Sequence, residues 1–248
     1  MPAMITYLGV HKSYGEHAAL TDFTLEVQRG ETLALIGPSG GGKTTVLKLA
    51  NGLLAPSRGT VLLDGRPIDE WDRQELRRAI GYVIQQVGLF PHWTVERNVG
   101  VLPTLEEWPP EKIAARVNEL LTLVDLEPDR FKSRYPSQLS GGQAQRVGVA
   151  RALALSPAML LMDEPFGSLD PLIRAQLQTE LLAILKTVEV TTILVTHDLT
   201  EAFRMGTRVA VLADGKLEQI GTPAELLSEP RSPYLKRLIK ANLLQVQP

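Results

Sequence analysis

Cysteine is missing from this chain of 248 residues, which excludes disulfides and thiolate metal ligation at once. A reducing compartment is thereby permitted. An excess of either charge is missing too: 26 basic residues face 28 acidic ones, a formal net charge of -2, so no bulk field draws the chain to nucleic acid. No apolar run approaches the roughly 18 residues of a membrane span. The opening stretch, MPAMITYLGVHKSYG, has neither the charged nor the apolar region of a secretory signal. The sequence therefore reads as a soluble, cytoplasmic protein that reaches a membrane only through a partner. No internal repeat or low-complexity tract organises it. With 44% apolar residues, the chain can bury the core of one large domain or two small ones.

What is present begins with short, continuously apolar runs. Thr32 to Ile36 (TLALI), Met159 to Met162 (MLLM) and Thr192 to Val195 (TILV) suit central strands covered on both faces of a mostly parallel sheet. Between the last two, Leu177, Leu181, Ile184, Leu185 and Val188 fall at helical spacing, so strand, helix and strand follow in βαβ order. The middle of the chain differs. From about Gly88 to Ser156 no strand pattern stands out, while Ile113, Val117, Leu120, Leu121 and Val124 mark one helix face after Pro109 and Pro110. This predicts a helical insertion between α/β halves. Near the end, Arg208 to Leu212 and Lys216 to Ile220 flank ADG, a hairpin signal. TPAE, from Thr222 to Glu225, then offers an N-cap, a Pro at the first helical position and a capping-box Glu. A short helix with an apolar stripe of Tyr234, Leu235, Leu238 and Ile239 follows.

GPSGGGKT, Gly37 to Thr44, stands between a buried strand and the helical run TTVLKLANGLL. That context turns a P-loop pattern into a mechanism. Gly37, Gly40, Gly41 and Gly42 let the backbone fold tightly enough to aim N–H groups at a β-phosphate; Lys43 adds a mobile positive charge, and the Thr44 hydroxyl can ligate Mg²⁺. Pro38, Ser39 and Thr45 complete the expected nucleotide contacts. A metal-bound nucleotide also needs a carboxylate at the end of a neighbouring strand. MLLMDEP supplies Asp163 for the metal and Glu164 to accept a proton from an attacking water. His197, in ILVTHD, ends a third apolar run at the same sheet edge and is placed to donate to a γ-phosphate. The other histidines, His11, His17 and His92, have no comparable context and read as surface or loop residues.

A second Ser-Gly-Gly stretch, LSGGQ at Leu139 to Gln143, opens a helical run, and such a backbone also attracts anions. With the P-loop and MDEP in this order, the chain resembles the ATP-binding cassette family, the nucleotide-binding subunits of ABC transporters, along nearly its whole length. LSGGQ is that family's signature. The resemblance implies an α/β P-loop NTPase cassette: a RecA-like, mostly parallel core (1–87 and 157–229), an antiparallel β subdomain at its N-terminal end, an inserted helical subdomain (88–156) and a C-terminal helix (230–248). It implies that Tyr14, in HKSYG, stacks on adenine and that Gln85, in GYVIQQ, approaches the metal and attacking water, in preference to Gln86. Ser168 to Asp170 (SLD) matches the D-loop, and His197 takes the switch-histidine role. Gly41, where the family often has Ser or Cys, and Ala144, where Gln is frequent, remove no necessary donor.

The resemblance further implies two copies facing head to tail. Each ATP is then held by one copy's Lys43 loop and by Ser140, Gly141, Gly142 and Gln143 of the other, with Asp170 at the shared interface. Permease subunits in the membrane are the expected partners, docking near Gln85 and the following VGLFPHWTVERNV, and a substrate-binding protein acts indirectly. The subunit would lie on the inner face of the cell membrane. ATPases of DNA repair usually separate the two motifs by a long coiled coil, and translation factors carry two cassettes; one cassette without sustained heptads favours transport. IGYVIQQVGLFPH and MDEPFGSLDPLIR look like the versions found in importers of glycine betaine, choline and proline-type osmoprotectants. Importers of polar amino acids are the alternative.

Overall fold

The computed structural model describes residues 3–85, 87–167 and 169–244. In chain order they form β1 (Ala3–Tyr14), β2 (His17–Gln28), β3 (Thr32–Ile36), α1 (Lys43–Ala50), β4 (Arg58–Leu63), β5 (Arg66–Pro67), α2 (Arg73–Ala79) and β6 (Ile80–Val83). Next come α3 (Val95–Leu105), α4 (Pro110–Leu123), α5 (Pro128–Phe131), α6 (Gly141–Ala152), β7 (Met159–Asp163) and α7 (Pro171–Val188). The last elements are β8 (Thr191–Val195), α8 (Leu199–Met205), β9 (Arg208–Ala213), β10 (Lys216–Gly221), α9 (Pro223–Ser228) and α10 (Pro233–Leu244). Two compact units result, Met1–Arg77 with Thr191–Pro248, and Arg78–Val190.

The first unit holds an antiparallel sheet in the order β2-β1-β4-β5 and a mixed set of strands. In the latter, β3 runs parallel to both β8 and β9, while β10 returns antiparallel along β9. Every residue of β3 and β8 is buried, which is why these two read as unbroken apolar runs and not as alternating ones. Ala34 and Ile36 of β3 pack with Val209 and Val211 of β9 and with Leu199, Ala202, Leu226 and Leu235 from α8, α9 and α10. Asp214 and Gly215, both at positive φ (48° and 71°), form the tight turn between β9 and β10, as a two-residue hairpin requires. Tyr7 joins the antiparallel sheet to α1: its buried hydroxyl donates to Val46 O at 3.0 Å, and its ring meets Phe23 edge-on at 5.4 Å.

In the second unit β6 and β7 pair in parallel, from Ile80 beside Met159 to Val83 beside Met162. No strand occurs among the described residues from 88 to 156, where helices α3 to α6 lie. Helix α4 starts with Pro110 at its first turn and buries Val117, Leu120 and Leu121, each Leu accounting for about 2–5 kcal/mol against truncation to Ala. Ile113, on the same expected stripe, is only partly covered. Helix α7 begins at Pro171, ahead of its apolar periodicity, because the Asp170 side chain caps it by accepting from Ile173 N at 3.1 Å.

Candidate functional site

Within the first unit, the parallel register of β3 and β8 puts Leu35 beside Val195, and Thr196 N continues the ladder by donating to Leu35 O at 3.1 Å. The loop after β3 and His197 after β8 consequently leave the sheet at one carboxyl edge, where α/β proteins hold ligands. The loop follows its glycines. A Cβ on Gly37 would lie 2.0 Å from Leu212 O, and one on Gly42 would lie 2.6 Å from Ala19 O. Gly42 caps α1 at φ 97° without a side chain, so an anion can take the acceptor place at the helix start. Gly41 N donates to Pro38 O at 3.0 Å, closing the turn.

Lys43 is 8% exposed and folds back under this loop, its Nζ donating to Gly37 O at 2.8 Å and Pro38 O at 2.9 Å. A cation held by two loop carbonyls is poised beside whatever the loop N–H groups bind. Ser39 and Gly40 are exposed at the tip, while Thr44 and Thr45 are partly exposed on the first turn of α1. Tyr14, at the end of β1, is 47% exposed, and Lys12 Nζ lies 5.5 Å from its ring centroid. His197 is exposed.

In the second unit the carboxyl edge of β6 and β7 gathers Gln85, Asp163 and Glu164. Asp163 closes β7, and its negative charge adds to burial in pushing the Tyr82 phenol up to about 12. Glu164 sits at φ 46°, a left-handed conformation that costs a non-glycine residue about 1–2 kcal/mol. Its Oε2 accepts from Gln85 Nε2 at 3.1 Å. A carboxylate only accepts, so the amide nitrogen must face it, which leaves the Gln85 carbonyl oxygen turned elsewhere. Gln86, the other candidate in that stretch, lies outside the described residues.

The signature stretch is the start of α6. Ser140 Oγ accepts from Gln143 N at 3.3 Å, and Gln143 Oε1 accepts from Ser140 N at 3.0 Å, a reciprocal capping box. The cap uses a lone pair of the exposed Ser140 hydroxyl, and the O–H of such a hydroxyl is a donor in addition to its acceptor lone pairs. Gly141 and Gly142 have a packing reason as well. A Cβ on Gly141 would be 3.2 Å from Leu169 Cδ2, and one on Gly142 would be 3.0 Å from Ile173 Cγ2. The signature thus rests on Leu169 and the first turn of α7, next to Asp170, whose side chain is engaged as a cap. Ser168, expected in the D-loop, lies outside the described residues.

Two supports here escaped sequence reasoning. Asn98 of α3 is fully buried; its side chain accepts from Phe90 N at 2.7 Å and donates to the carbonyls of Phe90, Trp93 and Thr94 at 3.2, 3.1 and 3.0 Å. It pins the loop that presents Phe90, 45% exposed, against the Trp93 ring at 4.4 Å. The one available signal was an Asn three residues after Val95 and one before Val99, inside an apolar stripe. Arg146 bonds Val124 O and Asp125 O at 3.1 and 3.0 Å and pairs with Glu180 at 2.6 Å, tying α6 to the end of α4 and to α7.

A family model described as ABC transporter matches residues 20–167, more than half of the chain. The chain belongs to the ABC transporter family. It is 47% identical to the glycine betaine/carnitine/choline transport ATP-binding protein OpuCA of Bacillus subtilis, over 96% of this chain and 63% of that one. It is 43% identical to the glycine betaine uptake system ATP-binding protein YehX of Escherichia coli, over 98% of this chain and 79% of that one. The chain spans about 63% of the length of OpuCA. Among solved structures it resembles MJ0796, a dimeric ATP-binding cassette in a post-hydrolysis state bound to ADP and Pi, with a TM-score of 0.78 and 35% identity over 89% of this chain and 99% of that one. The α/β P-loop NTPase cassette expected from the sequence is therefore the fold observed.

Proposed function

We propose that the chain is the ATP-binding and ATP-hydrolysing subunit of an importer for an osmoprotectant such as glycine betaine, choline or proline. The Gly37 to Gly42 backbone and Lys43 hold the β- and γ-phosphates, and Pro38, Ser39 and Thr45 complete the cradle. Tyr14 stacks on adenine through its exposed ring face. The donor set fits Mg²⁺: a hydroxyl from Thr44, the carboxylate of Asp163 and the amide oxygen of Gln85. Mg²⁺ keeps several waters and takes one or two carboxylates beside phosphate oxygens. Bound there, the ion neutralises phosphate charge.

Glu164 orients the attacking water and accepts its proton, and His197 donates to the γ-phosphate. Ser140, Gly141, Gly142 and Gln143 of a second copy add N–H and O–H donors to the same phosphate, with Asp170 beside that interface. ATP then stabilises the closed pair, and hydrolysis removes the differential affinity. The observation that carries hydrolysis, beyond nucleotide binding, is the Glu164 carboxylate directly after β7 with Gln85 as its donor. The solute rests on the names of OpuCA and YehX and on the Ile80 to His92 and Met162 to Arg174 stretches.

Membrane permease subunits are the partners, engaged through the loop that Asn98 pins, and a substrate-binding protein delivers the solute to them. The subunit works on the inner face of the cell membrane. The purified chain is expected to hydrolyse ATP, and Glu164→Gln to bind ATP while turning it over at least about 100-fold more slowly, the scale of a lost general base. Wild-type turnover in that variant would contradict the assignment. ATPase activity of the assembled importer should rise with glycine betaine or choline; a rise with polar amino acids alone would reassign the solute.

A further inference from the structure

Helix α6 carries the signature at its start, and at its other end it grips the chain that follows Gln85. The guanidinium of Arg151, in the last turn of α6, donates through Nη2 to Val87 O at 2.6 Å and through Nη1 to Gly88 O at 2.8 Å. Burial makes this group costly to keep charged and lowers its pKa, so the two carbonyls are its compensation. One turn earlier, Gly148 lets the helix backbone lie against Val87: a Cβ there would stand 2.3 Å from Val87 Cγ1. Gly88 itself has φ 58°. Two independent features of α6, a forked donor and a missing side chain, therefore meet at Val87, two positions beyond the amide that meets Glu164, and the fork holds Gly88 as well.

From this geometry we infer that Arg151 is a positioning residue for hydrolysis: with Gly148 it holds Val87 and Gly88 so that Gln85 reaches Glu164 Oε2. The inference rests on the reading of Gln85 and Glu164 as parts of an ATPase site. Arg151 touches neither nucleotide nor water in this account and acts through Gln85 alone. Because the same rigid helix bears Ser140 and Gln143 at its N-terminal end, any displacement of the signature carries the Val87 to Gly88 segment with it. Water activation at Glu164 is in this way made to depend on where the signature sits. A fork is required to bond two successive carbonyls, so Lys, a single point donor, replaces it poorly.

The test compares the full chain as wild type with Arg151→Met, Arg151→Lys, Gly148→Ala and the double variant Gly148→Ala with Val87→Ala. Nucleotide affinity, melting temperature and kcat per folded molecule are read for each. Arg151→Met and Gly148→Ala should lower kcat on the order of 100-fold, the cost of an ångström-scale misplacement, with monomer affinity for ATP unchanged. Arg151→Lys should recover part of the loss. Val87→Ala should restore the Gly148→Ala variant by removing the methyl group that the new Cβ meets. Wild-type kcat in either single variant, a parallel loss of ATP affinity, or no restoration by Val87→Ala would overturn the inference. Should Arg151→Met fail to fold, Arg151→Lys decides: its kcat must fall below wild type with ATP affinity unchanged, and wild-type kcat there would overturn the inference. An inactive wild type would instead strike the functional reading itself.

Discussion

Gly37 has no room for a side chain, and Gly40, three residues on, has all the room it needs. A Cβ on Gly37 would overlap Leu212 O at 2.0 Å, whereas one on Gly40 meets nothing within 4 Å although its φ is 78°. The two glycines look alike in GPSGGGKT and do different work. Gly37→Ala must displace β9 backbone and is expected to cost about 3 kcal/mol, the upper range for overpacking, and to abolish ATP binding. Gly40→Ala costs only its left-handed backbone, about 1–2 kcal/mol. Denaturant titration with parallel nucleotide-binding measurements separates them, and equal losses would contradict this account of the loop. Similarly, Gly141 and Gly142 belong to a motif read from the sequence as a phosphate contact, while their packing on Leu169 and Ile173 was visible only in three dimensions.

Elements were legible where one local pattern decides them. The apolar runs of β3, β7 and β8 and the Asp214 and Gly215 turn are written in adjacent residues, as is the TPAE box. That box is observed: Thr222 Oγ1 accepts from Glu225 N at 3.3 Å, and Glu225 Oε2 accepts from Thr222 N at 2.7 Å. Thr222→Ala should cost α9 about 1 kcal/mol. The bond from Thr222 N holds the Glu225 carboxyl below its usual range. A depressed folded-state value means that the stabilisation is present above the ordinary carboxylate range and is lost as pH falls through the lowered value. The gap in denaturation midpoint between wild type and Glu225→Gln should therefore shrink on acidification; a constant gap from neutral to acid pH would contradict it.

Contacts between residues far apart in sequence were not legible. Gln85 and Glu164 are separated by 79 positions, and Arg151 and Val87 by 64. No window of sequence contains both partners, and a single Arg in a helix gives no sign of what it grips. The Tyr7 bond to Val46 O, across 39 positions, escaped for the same reason. The strands of the antiparallel sheet came through resemblance alone, because the half-exposed β1, with four shifts of register against β2, breaks the alternation that marks a regular strand.

At the scale of the whole molecule, the proposed function makes each chain half of two sites, with the glycine-rich loop and Lys43 supplying one side of a nucleotide and the Ser140 to Gln143 helix start of another copy supplying the other. Ser140→Arg separates these roles. It should slow hydrolysis steeply while the isolated chain binds ATP as well as wild type does, because no part of its own P-loop is altered. Loss of nucleotide affinity in that variant would show that the signature serves its own chain.

The central claim, that ATP clamps two copies and hydrolysis releases them, is tested most directly by sedimentation of Glu164→Gln. With ATP and Mg²⁺ the account predicts a species of twice the monomer mass, reverting to monomer when ADP replaces ATP and absent in Glu164→Gln combined with Ser140→Arg. A Glu164→Gln chain that binds ATP and still sediments as a monomer would contradict it.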